Sequence, residues 1–240
     1  MHLTVVVPAF NEVGRIGASV ARILAFLATQ PFTSELIIVL DGGAPGAADE
    51  IAPVAAGRAG VTVLDNVVNR GKGYSVRRGM QASHGEYVLF VDADLSLPIE
   101  DAGRFLAALE GGADVAIGSR AVAGASERGE QQRLRQSMSR VFNALVRAVA
   151  VRGMRDTQCG FKAFRGTVAR GLFAVQRIDG FGFDVEVLRI AQRRGHRIVE
   201  VPVACEYHPS SSVRQVRHAA TMLVDLARIV WHDWRGHYVR

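Results

Sequence analysis

The stretch Val88-Leu89-Phe90-Val91-Asp92-Ala93-Asp94 decides how the rest of the chain is read. Its unbroken apolar run, preceded by Tyr87, describes a strand buried on both faces, as in the middle of a parallel sheet. The run stops at two carboxylates separated by one residue. Strand alternation sends both to the same side. There they can hold a hard divalent cation and leave positions open for a diphosphate. A bare D-x-D reads more readily as a pair of solvated turn aspartates. Its place at the end of a buried strand favours the metal-binding reading.

Working outward, the first half alternates short apolar runs with helical patterns. Leu3 to Val7 is a β-branched strand run ended by Pro8, and Ile16, Val20, Ile23, Leu24 and Leu27 recur at helical spacing. Strands are expected at Leu36 to Leu40, Val61 to Leu64 and Val115 to Ile117, and helices at Gly73 to Ser83 and Ile99 to Leu109. This alternation predicts an α/β fold, a mostly parallel central sheet flanked by helices, with a Rossmann-like nucleotide-binding half over about residues 1–119. Such sheets bind ligands beyond the carboxyl ends of their strands. The chemistry is therefore expected just after Val7, Leu40, Leu64 and Val91.

The second half, about 120–240, differs in pattern. Arg120 to Arg135 is polar and aperiodic and reads as a mobile loop. Val141, Leu145 and Val149 mark an Arg-studded helix, Arg197 to Val203 a late strand, and Val213 to Trp231 an amphipathic helix. No linker separates the halves, so one domain over 1–240 is expected.

Several polar groups sit where chemistry is expected. Asp41, followed by Gly42-Gly43, can accept hydrogen bonds from a base or ribose, or can open an Asx turn; the sequence leaves both open. Lys72 lies between glycines in Asn69-Arg70-Gly71-Lys72-Gly73 and can reach a phosphate. The segment is not a Walker loop, and PAFNE stands where a dinucleotide-binding G-x-G-x-x-G would follow the first strand. Asp156-Thr157-Gln158-Cys159-Gly160-Phe161-Lys162 is a compact polar knot. In it Asp156 can orient an acceptor or a sugar hydroxyl, and Lys162 can pair with Asp156 or with phosphate. Cys159 reads as structural. Asp184 and Glu186 fall in a first helical turn, which favours carboxylates whatever the function, and an active-site role is equally open to them. His208, Ser211, Ser212 and Arg214 precede the last helix and can cap it or touch a diphosphate.

Composition bounds these readings. The chain has 240 residues, 49% of them hydrophobic and 22% charged, enough for a sizeable core and too apolar for disorder. Two Cys with no ligand spacing exclude a disulfide scaffold and a zinc finger. A net charge of +6 fits anionic partners, although no basic–aromatic interleaving points to nucleic acid. No secretory segment and no bilayer-spanning run is visible. The expected location is the cytoplasm, free or peripheral on a membrane surface. In the last helix, Val213, Val216, Ala220, Leu223, Val224, Ala227 and Val230 form one apolar stripe, followed by Trp231 and Trp234. The stripe reads as an in-plane surface anchor or as a face packed on the protein's own core or a second subunit. Oligomeric state stays open.

These pieces, in this order, resemble glycosyltransferase family 2 and its GT-A nucleotide-sugar fold. The resemblance rests on VVVPAFNE, the acidic end of the second strand, NRGKGYSVRRG and VDADL. DTQCGFKAFR and GFGFDVEVLRIAQRRGHRIVEVPV further resemble the dolichyl-phosphate β-glucosyltransferase branch and its bacterial polyprenyl-phosphate relatives. The resemblance implies that Pro8, Phe10, Glu12 and Asp41 line the nucleoside pocket beside Lys72. It implies that Asp92 and Asp94 bind Mg2+ or Mn2+ and the sugar diphosphate, with Asp94 and Asp156 catalytic. Gln158, Lys162, Ser212 and Arg214 would face the acceptor or its phosphate, and the second half, about 120–240, would be the acceptor side. The second-strand motif departs from the family, with LDGGAPG where a paired acid and a Ser are usual. The membrane anchors of eukaryotic and many bacterial members are not seen. The implied reaction is inverting transfer of a hexose, glucose first, from a UDP-sugar to a polyprenyl or dolichyl phosphate. Two alternatives are a same-fold enzyme using a soluble or protein-bound hydroxyl acceptor, and a weakly catalytic nucleotide-binding scaffold at a membrane surface.

Overall fold

The computed structural model describes residues 1–42, 46–120, 126–127, 146, 151, 153–205 and 215–239. The expected loop at 120–135, all but its first residue and 126–127, lies outside these residues, as do Val141, Leu145, Val149, Ser212 and Arg214. In chain order the elements are β1 (Leu3–Ala9), α1 (Ile16–Ala28), β2 (Ser34–Leu40), α2 (Ala47–Ala55), β3 (Val61–Asp65), α3 (Lys72–Ala82) and β4 (Tyr87–Val91). A 3-10 turn (Ile99–Asp101) leads into α4 (Ala102–Glu110), then β5 (Val115–Ser119) and β6 (Ser126–Glu127). There follow β7 (Phe161–Arg165), α5 (Gly166–Val175), α6 (Phe183–Arg193), β8 (Ile198–Pro202), β9 (Ala204–Cys205) and α7 (Gln215–Trp234).

The seven-stranded sheet has the order β3-β2-β1-β4-β7-β5-β8, and β6 pairs with β9 beside it. All of its strand pairs are parallel except the two made by β7. The chain lays β2 and β3 to one side of β1 and then places β4 on the other. The β1/β4 junction is thus the topological switch point, where helices diverge and leave a crevice at the carboxyl ends of the strands.

The alternation of β1 explains the layers. Leu3, Val5 and Val7 pack with α1 and α4 in one core; Val6, beside Val39 and Phe90, packs with α3, α5, α6 and Leu226 of α7 in the other. Both faces are covered, which is why these strands read as continuous apolar runs.

Several details differ from the sequence expectation, in which α5, β6 and β9 had no place. β1 runs through Pro8 to Ala9. This is tolerated because its ladder with β4 stops at Val6, so the missing proline N–H falls beyond the doubly paired part. The helix α2, with Pro53 in its last turn, was not expected. Nor was β7, which lies within and just after the polar knot. Among the described residues no helix is long and apolar enough to cross a membrane.

Candidate functional site

From Val91 to Ile99 the burial alternates strictly, with Asp92 and Asp94 half-buried and Ala93 and Leu95 inside. The two carboxylates therefore emerge on one side of the β4 end. Asp94 Oδ1 accepts the Ser96 N–H at 3.1 Å, and Leu95, at φ 46°, turns the chain between them. Asp92 Oδ1 lies 2.7 Å from the ammonium of Lys72. Burial alone would lower the Lys72 pKa; Asp92, Asp184 and Asp94 outweigh it and hold the ammonium above its ordinary value.

Lys72 owes its position to its two glycines. A side chain at Gly71 or Gly73 would collide with the backbone of Ile178–Gly180, which crosses the start of α3. Tyr74 N–H donates to Asp179 O at 3.1 Å, and Gln176 Nε2 donates to Gly73 O at 3.2 Å and Ile178 O at 2.6 Å. The crossing segment is held by Glu186, which accepts the N–H groups of Arg177 and Ile178 and the Tyr238 hydroxyl at 2.7 Å. Burial pushes the Glu186 carboxyl up, and burial followed by the adjacent carboxylate pushes the Tyr238 phenol up.

On the nucleoside side, a cavity of about 160 Å³ opens at the ends of β1, β2 and β3, lined by Ala9, Asn11, Glu12, Leu40, Gly42 and Asp65 among others. Phe10 is exposed beside it, while Pro8 is buried within β1. Glu12 pairs with Arg15. The carboxylate of Asp41 is occupied by the protein: Oδ1 accepts Asn66 Nδ2 at 2.8 Å and Arg70 N–H at 2.9 Å, and Oδ2 accepts Gly71 N–H at 2.8 Å. In this state it clasps the β3–α3 loop that carries Lys72. Two acids line the cavity, Glu12 and, at the end of β3, Asp65. Sequence reading passed over Asp65, although it ends one of the strands named as ligand-facing.

On the acceptor side, Asp156 is 2% exposed. Arg120 binds it through Nε at 2.7 Å, Nη2 at 3.1 Å and its backbone N–H at 3.2 Å. Burial would raise this carboxyl, but Arg120, with help from Lys162, holds it below the usual carboxylate range. Glu200 on β8 supports the turn by accepting the N–H groups of Arg155 and Asp156 at 3.1 Å. Gln158 donates to the Met222 sulfur at 3.3 Å. Lys162 points inward: its ammonium, 1% exposed, binds Cys159 O at 2.6 Å and Asp184 Oδ1 at 2.5 Å. It braces the turn from within and does not face an acceptor. Burial followed by the Asp156 charge pushes the Cys159 thiol up to about 12, consistent with a structural role.

The two sides meet at Gly160. Its carbonyl accepts the Asp92 N–H at 3.1 Å, and any side chain there would overlap the Asp92 carboxylate. The structure thus brings together Lys72, Asp92, Asp94 and the 156–160 turn, with the nucleoside cavity at the neighbouring strand ends. Arg120, Glu200 and Gly160 were not singled out by sequence. Their roles depend on the insertion of β7, which the sequence pattern hid.

Comparison with known proteins identifies the family and the fold. The family model described as glycosyl transferase family 2 matches residues 4–173. A dolichyl-phosphate beta-glucosyltransferase, ALG5C, of Trichomonas vaginalis is 32% identical over 95% of this chain and 71% of its own length. The dolichyl-phosphate beta-glucosyltransferase of Drosophila melanogaster is 37% identical over 85% of this chain and 66% of its own. Glucosyl-3-phosphoglycerate synthase of Mycobacterium tuberculosis superposes over 95% of this chain and 80% of its own with a TM-score of 0.68 at 19% identity. Its complex with Mn2+, UDP-glucose and glycerol 3-phosphate superposes at 0.67. The likeness in structure establishes the fold, that of the GT-A glycosyltransferases.

Proposed function

The chain belongs to glycosyl transferase family 2, and from that premise we propose that it transfers glucose from UDP-glucose to a polyprenyl or dolichyl phosphate with inversion at the anomeric carbon. One observation carries the proposal: a paired, outward-facing Asp92 and Asp94 at the β1/β4 switch point, with Lys72 on one flank and the 156–160 turn on the other. The names of the relatives support the sugar and the acceptor class. The neighbours crystallised with UDP support the nucleotide.

A divalent cation fits these residues. Two half-buried carboxylates on one side of a strand end are hard oxygen donors, and the missing side chain at Gly160 lets the Asp92 carboxylate sit there. Asp92 and Asp94 would hold Mg2+ or Mn2+, which when bound supplies charge neutralisation to the leaving diphosphate. Lys72 adds a second positive charge at the same edge. The cavity beyond β1 to β3 takes the nucleoside, with Asp65 and Glu12 as its acidic lining.

A phosphate acceptor is already anionic near neutral pH, so attack needs orientation more than proton removal. Asp156, buried and held ionised by Arg120, suits orientation of that partly exposed guanidinium, whose charge a phosphate would meet. It is poorly suited to act as a base, because its depressed pKa weakens its hold on a proton. This favours a phosphate acceptor over a hydroxyl one.

The test is a panel of nucleotide sugars offered with polyprenyl phosphate and Mg2+ or Mn2+, scored as labelled lipid. UDP-glucose is expected to give the product, and transfer from GDP-mannose alone would overturn the donor assignment. Asp94→Ala, or EDTA, is expected to lower the rate by about 10³-fold or more without shifting Tm. Full activity in both would remove the metal from the proposal.

A further inference from the structure

The last helix, α7, has two faces of opposite character. Its inward face is Asp225, Leu226, Ile229 and Asp233, all under 9% exposed. Its outward face carries Leu223 (50% exposed), Val224 (51%), Val230 (39%), Trp231 (48%) and Trp234 (79%). The expected apolar stripe is therefore present, and its described part from Leu223 onward faces outward.

The acidic residues of the helix are turned away from that surface. Asp225 is buried against Gly182, whose N–H it accepts. Asp233 is bound by Arg189 and by Arg193 Nε, the latter at 2.6 Å. Among the described residues of the outward side, the charged groups are Arg228, exposed and 3.6 Å from the buried Asp225, and Arg235, whose guanidinium stacks 5.0 Å from the Trp231 ring. Trp rings and Arg flanking an apolar stripe match the boundary between headgroups and acyl chains.

Position adds a second line of argument. Met222, on the inward side of α7 with Leu226 and Ile229, accepts the hydrogen bond from Gln158. The helix thus packs its inner side beside the turn that rests on Asp92, with the apolar stripe on its outer side.

We propose that α7 lies in the plane of an anionic lipid bilayer, with Leu223, Val224, Val230, Trp231 and Trp234 seated among the acyl chains and Arg228 and Arg235 against the headgroups. The surface rests on the lipid-phosphate acceptor proposed above: it holds the 156–160 turn within about one helix diameter of the bilayer that carries such a phosphate. A second copy of the chain fits this face less well. An antiparallel isologous contact there would bring Arg228 and Arg235 of one copy toward the same pair of arginines on the other.

The chain has two tryptophans, Trp231 and Trp234, so its intrinsic tryptophan emission reads this face alone. Vesicles of phosphatidylcholine and phosphatidylglycerol, with no donor or acceptor present, are expected to shift the emission to the blue. Brominated acyl chains are expected to quench it. The variant Leu223→Glu/Val230→Glu keeps both tryptophans and is expected to lose about tenfold or more in vesicle affinity at unchanged Tm. Emission indifferent to vesicles, or equal quenching in the double variant, would overturn the proposal. So would a concentration-dependent dimer that buries the tryptophans without lipid. Transfer to polyprenyl phosphate dispersed in detergent is scored separately. Transfer without vesicle insertion rejects the surface and keeps the reaction; insertion without transfer rejects the reaction and keeps the surface.

Discussion

At Gly160 the absence of a side chain is a geometric requirement, because the space a methyl group would take is filled by the Asp92 carboxylate. Gly160→Ala is expected to displace that carboxylate and lower transfer by about 100-fold, the scale of a 1 Å error in a reacting geometry. Gly103→Ala is the contrast. Gly103 sits in α4 with open space where a Cβ would go, so the change is expected to raise stability by roughly 0.5–1 kcal/mol, read as an increased Tm. Asp156 gives a prediction in pH. Its folded pKa lies below its unfolded value of about 3.9. Its contribution to stability is therefore complete above that value and is lost as pH falls through the depressed one. Arg120→Met removes the main partner, so acid unfolding, followed by circular dichroism, is expected to begin at higher pH. The sequence disclosed Asp92 and Asp94 because both sit within one strand and its end. It could not disclose that Asp41 and Lys162 are occupied by the protein: the partners of Asp41 lie 25 to 30 residues away, and Lys162 meets Asp184, 22 residues on.

Among the elements, β7 shows why a legible motif can hide a strand. Phe161-Lys162-Ala163-Phe164-Arg165 has a lysine in its middle and follows a polar run, so nothing in its pattern resembles the apolar strands around it. Lys162 is tolerated inside the sheet because Asp184 and the Cys159 carbonyl accept its charge there. The helices α1, α3 and α4 were legible from the sequence pattern, and α6 from its acidic first turn. The packing of α7 was only half legible: the spacing gave the stripe but not the side it faces. Beyond α7, Tyr238 is fully buried and donates to Glu186, which holds the segment crossing the start of α3. Tyr238→Phe removes that donor from a buried carboxylate and is expected to destabilise by about 1–3 kcal/mol, each kcal/mol lowering Tm by about 2–4 °C. The donor KM is expected to rise as well, because the loosened segment no longer fixes Lys72. A Tm shift with an unchanged KM would show that the clasp serves stability alone.

For the whole molecule, the alternation of strand and helix was enough to read a mostly parallel sheet with its site at the strand ends. The insertion of β7 between β4 and β5 was not legible, because it pairs residues far apart in sequence. It makes the sheet common to both halves of the chain. A fragment of residues 1–119 leaves the apolar edge of β4 open and β5 without either neighbour. It is expected to aggregate, as size-exclusion chromatography and light scattering would show, where the full chain stays dispersed. The same insertion imposes a timetable on synthesis. Strand β4 is complete at Val91, but its partner arrives about 70 residues later. At roughly 5–20 residues per second the nascent chain carries a bare, Phe-containing edge for about 4–14 s. Slower translation across that interval lengthens the exposure, so the yield of soluble protein is expected to depend on codon choice between β4 and β7 more than anywhere downstream.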